Sequence, residues 1–230
     1  MEGLPKNTKE GAGGREARLK EAIEHFKNVG DRLGLEIDRN IIECVAVLNA
    51  LKINTASSCG GHTEEGKGRL AFPYLYFEAP ESPMYRFEGE MEVREEVAKK
   101  HSIAPEDVLR EDPSIAKEFY KAIEERGSGE SIEWKEWMMK NKELKERVMK
   151  LLVEFNTRRS EEDGVYLRFE RIFPGSRIET IEREEDERLK RGVKKQEIPR
   201  VVVVEKVLSA QKEMKAFEEF LKRKYLSEKE

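Results

Sequence analysis

The chain has 230 residues, 37% of them hydrophobic and 40% charged, with a net charge of −4. That length holds one ample domain, or a domain carrying a large insertion. The balanced charge argues against a broad nucleic-acid footprint, which shows as a basic excess; no apolar run reaches the length of a membrane span, and two cysteines cannot build a disulfide framework.

Residues 1–14 have no apolar segment and read as a disordered leader, not a secretory signal. The expected location is therefore cytoplasmic. Glu far outnumbers Asp, and Gln occurs only at Gln196 and Gln211. Such a balance is thermophile-like. The basic clusters Arg158–Arg159 and Lys222–Arg223–Lys224 read as solvated helix faces.

Residues 15–33 have helical periodicity, with Leu19, Ile23, Phe26 and Leu33 on one face and Gly34 suited to its C-terminus. Asp38 reads as the N-cap of a second helix running to about Leu51, whose buried stripe is Ile41, Cys44, Val45, Leu48 and Leu51. A short strand over INTASS follows. A stronger one lies in RLAFPYLYFEA, where Leu75 and Phe77 alternate with Tyr74 and Tyr76 and Pro73 falls near the start.

From about 91 to 158 the chain reads as a helical insertion. Pro105 suits the first turn of one helix, and Asp112–Pro113 the N-cap and first position of another that stops near Gly127. Ser131 starts a long helix carrying Trp134, Trp137, Leu144, Val148, Leu151 and Phe155. The last four keep heptad-like spacing, read as core packing within the chain. GVYLRFERIF and RIETI, separated by the turn signal at 174–176, predict a hairpin. Residues 182–197 are a mixed charge run, IPRVVVV reads as a buried strand, and a closing helix carries Met214, Phe217, Leu221 and Tyr225. The expected fold is α+β: a small mixed or antiparallel sheet with flanking helices, over a single domain spanning 15–230 with the helical insertion inside it.

The loop after the first predicted strand concentrates rare chemistry. NTASSCGGHT places Cys59 three residues before His62, in a chain with two cysteines and three histidines. Three chemical uses stand open. Cys59 and His62 are half of a zinc set; a structural site needs four ligands, Cys44 sits on an apolar stripe, and carboxylates would have to finish the shell, so no metal is assigned. A thiolate at Cys59 activated by His62 is a nucleophile, with Glu64, Glu65 or Glu43 available to orient the imidazole. Alternatively Gly60 and Gly61 form a backbone nest for a small anionic ligand or nucleotide, with hydroxyls from Ser57, Ser58 and Thr63 and charge from Lys67 and Arg69. Against all three stands a plain glycine turn.

The segment LGLEIDRNIIECVAVLNALKINTASSCGGHTEEGKGRLAFPYLYF resembles a group of uncharacterised prokaryotic proteins with a Ser-Cys-x-Gly-His element, which marks Ser58, Cys59, Gly61 and His62. Within it, LN followed by TASSCGGH is similar to the TTSSCSGR element of the third enzyme family of wybutosine synthesis, methyltransferases acting on modified guanosine in tRNA. Thr55, Ser57, Ser58, Cys59 and Gly61 match; His62 stands where that family has Arg, and its downstream Trp and His motifs have no counterpart. The resemblance implies S-adenosylmethionine and tRNA as ligands, and the acidic net charge weighs against the RNA. The expectation is a ligand or catalytic site at Ser57–Thr63, nucleotide- or RNA-modification-related. The alternative is a non-catalytic binding or regulatory protein that uses the helical insertion and closing helix as interaction surfaces.

Overall fold

The computed structural model describes residues 14–30, 36–63, 71–110, 112–159, 165–182 and 200–227. Residues 1–13 of the expected leader, Leu33, Gly34 and residues 183–197 of the charge run lie outside them. The chain divides into two compact units, residues 1–80 with 141–230, and residues 81–140. The described residues hold six α-helices and a four-stranded antiparallel sheet, an α+β fold.

The first unit contains α1 (Arg15–Phe26), α2 (Ile42–Ala50), β1 (Thr55–Cys59), β2 (Tyr74–Phe77), β3 (Val165–Arg171), β4 (Ser176–Glu182) and α6 (Arg200–Ser227), with the second part of α5 (Ile132–Asn156). Strand order is β1-β2-β4-β3. In this register Leu75 faces Ile178, and Phe169 also faces Ile178. With Phe77 and Leu167 they form the apolar face of the sheet. It joins one core with Phe26 of α1, Val45 and Leu48 of α2, Val148 and Phe155 of α5, and Phe217 and Leu221 of α6. The opposite face is polar. Arg168 pairs with Glu179, Arg177 bridges Glu170 (2.6 Å) and Glu179 (2.9 Å), and the Arg177 guanidinium lies over the Tyr74 ring. The alternation read from YLYF therefore sorts the two faces as expected.

Three expectations for this unit are overturned. The first helix ends at Phe26, not near residue 33; Asn28 turns its amide back onto the Glu24 carbonyl (2.9 Å), a local bond that competes with continued helix. Asp38 does not cap α2. The N-cap position is Ile41, without a side-chain cap, and the Asp38 carboxylate is engaged elsewhere. IPRVVVV is not a strand, since Arg200 onward is the first turn of the 28-residue α6. Valine favours strands only where it fits a pleated, packed surface. Here the 3.6-residue stripe of Val207, Ala210, Met214, Phe217 and Leu221 seats the whole segment on the core as helix.

The second unit holds α3 (Glu90–His101), a single 3-10 turn at Pro105–Asp107, α4 (Pro113–Glu125) and the start of α5. Its own core is Val93, Val97, Val108, Ile115, Phe119 and Ile123. Its helix starts follow the sequence rules. Asp112 accepts from the Ser114 amide (2.7 Å) with Pro113 at the first position, and the Ser131 hydroxyl accepts from the Trp134 amide (3.1 Å). Gly127 takes the left-handed conformation just beyond α4.

Candidate functional site

The site begins where β1 ends. Cys59 pairs with Tyr74 of β2. The chain then turns through Gly60 and Gly61 and returns at His62, whose amide donates to the Ala71 carbonyl (2.9 Å) while Ala71 donates back (3.3 Å). A two-residue bridge thus fixes His62 beside the strand end. Residues 64–70 lie outside the described residues, so Lys67 and Arg69 are not placed.

Asp38, from the segment leading into α2, enters this turn. One of its oxygens, Oδ2, accepts from the Gly60 amide (2.8 Å) and lies 3.3 Å from His62 Nε2. The Gly61 amide points at Cys59 Sγ (3.4 Å). One ligating atom from each of Asp38, Cys59 and His62 lies within 4.8 Å of the other two. Asp38 and His62 side chains are 25% and 30% exposed and Cys59 is 8% exposed, so the cluster is sheltered and still reachable from solvent.

Both glycines leave space that this packing uses, and Gly61 also needs its freedom of backbone conformation. A Cβ on Gly60 would lie 1.8 Å from Asn40 Oδ1, which sits there because Asn40 Nδ2 donates to the Gly60 carbonyl (2.7 Å). Gly61 has φ +84°, and a Cβ there would meet the Pro73 ring at 3.0 Å and the Ala71 carbonyl at 3.3 Å. From the far end of the chain, Gln211 of α6 donates to the carbonyls of Gly60 (3.2 Å) and Gly61 (3.0 Å).

Electrostatically the thiol is held neutral. Burial pushes the Cys59 thiol above its ordinary value, the Gly61 amide pulls the other way, and the nearby Asp38 carboxylate pushes it up further. The sulfur therefore lacks the electropositive setting of a reactive thiolate.

The residues singled out from sequence are thus distributed as follows. Cys59, His62, Gly60 and Gly61 come together. The two glycine amides do point inward, and their acceptors are the Asp38 carboxylate and the Cys59 sulfur of the chain itself. Ser57 pairs with Tyr76 and Ser58 with Leu75, so they occupy opposite faces of β1. Thr63 is half-buried just past the bridge. Of the carboxylates expected to orient His62, Glu43 pairs instead with Lys222, and Glu64 and Glu65 are not described. Asp38 and Gln211 were missed. For Asp38 the local signal was misleading, because an Asp just ahead of a helix reads as a cap. For Gln211 the one hint was scarcity, as one of two glutamines.

The geometry separates relay from coordination. In a nucleophile–imidazole–carboxylate relay the ring lies between the other two groups, which sets sulfur and carboxylate oxygen roughly 7 Å apart given hydrogen bonds of ordinary length on both ring nitrogens. Here those two atoms lie within 4.8 Å. All three groups converge on one point, as ligands do around an ion. No protein-family model, curated protein or solved structure matches the chain.

Proposed function

We propose that the protein is a metal-dependent enzyme whose centre is a divalent transition-metal site formed by Asp38, Cys59 and His62. The observation that carries this reading is the convergence of one carboxylate oxygen, one sulfur and one imidazole nitrogen within 4.8 Å of each other. Around a tetrahedral zinc-class ion, bond lengths of about 2.0–2.3 Å set ligand atoms roughly 3.3–3.8 Å apart. The Asp38–His62 pair already lies at 3.3 Å, and the pairs with Cys59 lie within 4.8 Å. Mixed sulfur, nitrogen and oxygen donors favour the zinc class over magnesium or calcium.

Three protein ligands leave one position open, which is the pattern of catalytic sites, whereas structural sites close with four. Asp38, Cys59 and His62 would hold such an ion, which when bound would supply Lewis acidity toward a substrate oxygen or a water. The chain's own part is to shelter and orient. Gly60 N–H fixes one Asp38 oxygen and Gly61 N–H supports the sulfur, the kind of outer contacts that tune a ligand set. The likeness of Thr55, Ser57, Ser58, Cys59 and Gly61 to the wybutosine-family element supports a nucleotide-bearing or RNA substrate for this centre.

The test is elemental analysis of protein purified without a metal-binding tag, followed by cobalt(II) titration of the stripped protein. One equivalent of metal and a sulfur-to-cobalt charge-transfer band are expected. Absence of both at saturating cobalt overturns the reading. A thermal shift on adding S-adenosylmethionine, with no metal bound, would favour the methyltransferase use of the same loop.

A further inference from the structure

We propose that Gln211 is a positioning residue of this centre, holding from α6 the two peptide planes that aim the loop at its ligands; the proposal rests on the metal reading above. Gln211 Nε2 carries two hydrogens and lies within hydrogen-bond distance of two successive carbonyls, Gly60 (3.2 Å) and Gly61 (3.0 Å). In a planar trans peptide the carbonyl and the following N–H point in opposite directions. The plane whose oxygen is Gly60 O carries the Gly61 N–H, which points at Cys59 Sγ. The plane whose oxygen is Gly61 O carries the His62 N–H, which bonds Ala71 and sets the start of the histidine. One side chain therefore holds the rear of both planes whose front edges place the sulfur and the imidazole.

Glycine makes this restraint necessary. Gly61 sits at φ +84° between the two planes and has no side chain to restrict its rotation. Asn40 shares the hold on the Gly60 carbonyl alone, whereas the Gly61 carbonyl receives Gln211. Gln211 is half-buried, and its helix is seated by the flanking core residues Ala210 and Met214, so its amide is presented from a rigid element.

The experiment uses Gln211→Leu and Gln211→Glu in the full chain. Both remove the donors, one with an apolar and one with a polar side chain of similar size, so a shared effect belongs to the lost hydrogen bonds. In the metal-free protein, amide hydrogen exchange of Gly61 and His62 should accelerate at least tenfold while exchange in α2 stays as in the wild type. In the cobalt(II) form, affinity should fall about 10–100-fold, and the sulfur-to-cobalt band should shift or weaken. If one variant does not fold, the other is read alone. Wild-type exchange rates and an unchanged cobalt spectrum in a folded variant would overturn the proposal. A wild-type protein that takes no cobalt would instead overturn the metal reading, and the metal-free exchange would still judge the clamp.

Discussion

The chain's two cysteines are a natural contrast. Cys44 is fully enclosed in α2, with Val45, Leu48 and the rest of the main core around it, and burial drives its thiol far above the ordinary range. Cys59 is nearly as buried, and burial is again the first cause of its raised thiol. What differs is the company. Among the described residues no group of three metal-ligating side chains includes Cys44, while Cys59 shares a small volume with a carboxylate and an imidazole. Burial makes a cysteine inert, and the donors beside it are what make Cys59, and not Cys44, the proposed ligand.

The largest test of this contrast is deletion of each sulfur. Cys59→Ala should weaken cobalt(II) or zinc binding by more than the roughly 100-fold that loss of an outer contact costs, since one of three proposed ligands is gone, with the smaller loss of stability because its site is less fully enclosed. Cys44→Ala should do the reverse: unchanged metal affinity, and a loss of about 1–2 kcal/mol in urea unfolding from the space left in a packed core. Equal effects of the two substitutions on metal binding would remove the distinction.

Acidity provides the next test. Because the Cys59 thiol is held protonated at neutral pH, coordination must release its proton. Apparent affinity should rise about tenfold per pH unit between pH 6 and 8, measured by competition with a chelator whose own protonation is corrected for. A flat profile would exclude the sulfur from the ligand set.

A smaller effect concerns the turn. Gly61→Ala should cost about 1–3 kcal/mol, because its φ is positive and the Pro73 ring and the Ala71 backbone block the added methyl. Gly60→Ala should cost less, because the obstacle is the Asn40 side chain, which can swing aside at the expense of one hydrogen bond of about 1 kcal/mol. Thermal unfolding of both variants gives the order.

These residues also show what the sequence made legible. Asp112 and Ser131 accept from amides within a few positions, Gly127 supplies a left-handed turn just past its helix, and these roles follow from local rules. The alternation of Leu75 and Phe77 with the tyrosines set the sheet faces correctly, because period-two burial is a local property of a strand. Cys59 and His62 stood out by scarcity and close spacing. Asp38 lies 22 residues before Gly60 and Gln211 lies 150 after Gly61, and each meets the loop only because α2 and α6 pack where they do. No local pattern encodes such a meeting. The valine run failed for a related reason, since its β-branched preference was outweighed by the core stripe further along the same helix.

The smallest predicted effect returns to the neighbourhood of Cys44. Glu43 is held down to about 2, first by its bond to Lys222, while burial pushes Glu218 the other way. Lys222 bridges both carboxylates and Lys215 reaches Glu218, so the cluster ties α2 to α6. A depressed carboxylate contributes stability that is present above its unfolded value near 4.5 and is lost as pH falls toward 2. Glu218, being raised, works in the opposite sense and regains stability as it takes a proton. The Glu43 side chain is 41% exposed, so solvent screening limits its share to about 0.2–1 kcal/mol. Glu43→Gln should therefore flatten the loss of stability between pH 4.5 and 2.5 by that amount, read from urea midpoints, while leaving cobalt(II) affinity at Cys59 as in the wild type. A change in metal affinity would mean that the ionic cluster on α2 and the ligand set at the end of β1 are coupled through the helix that carries Gln211.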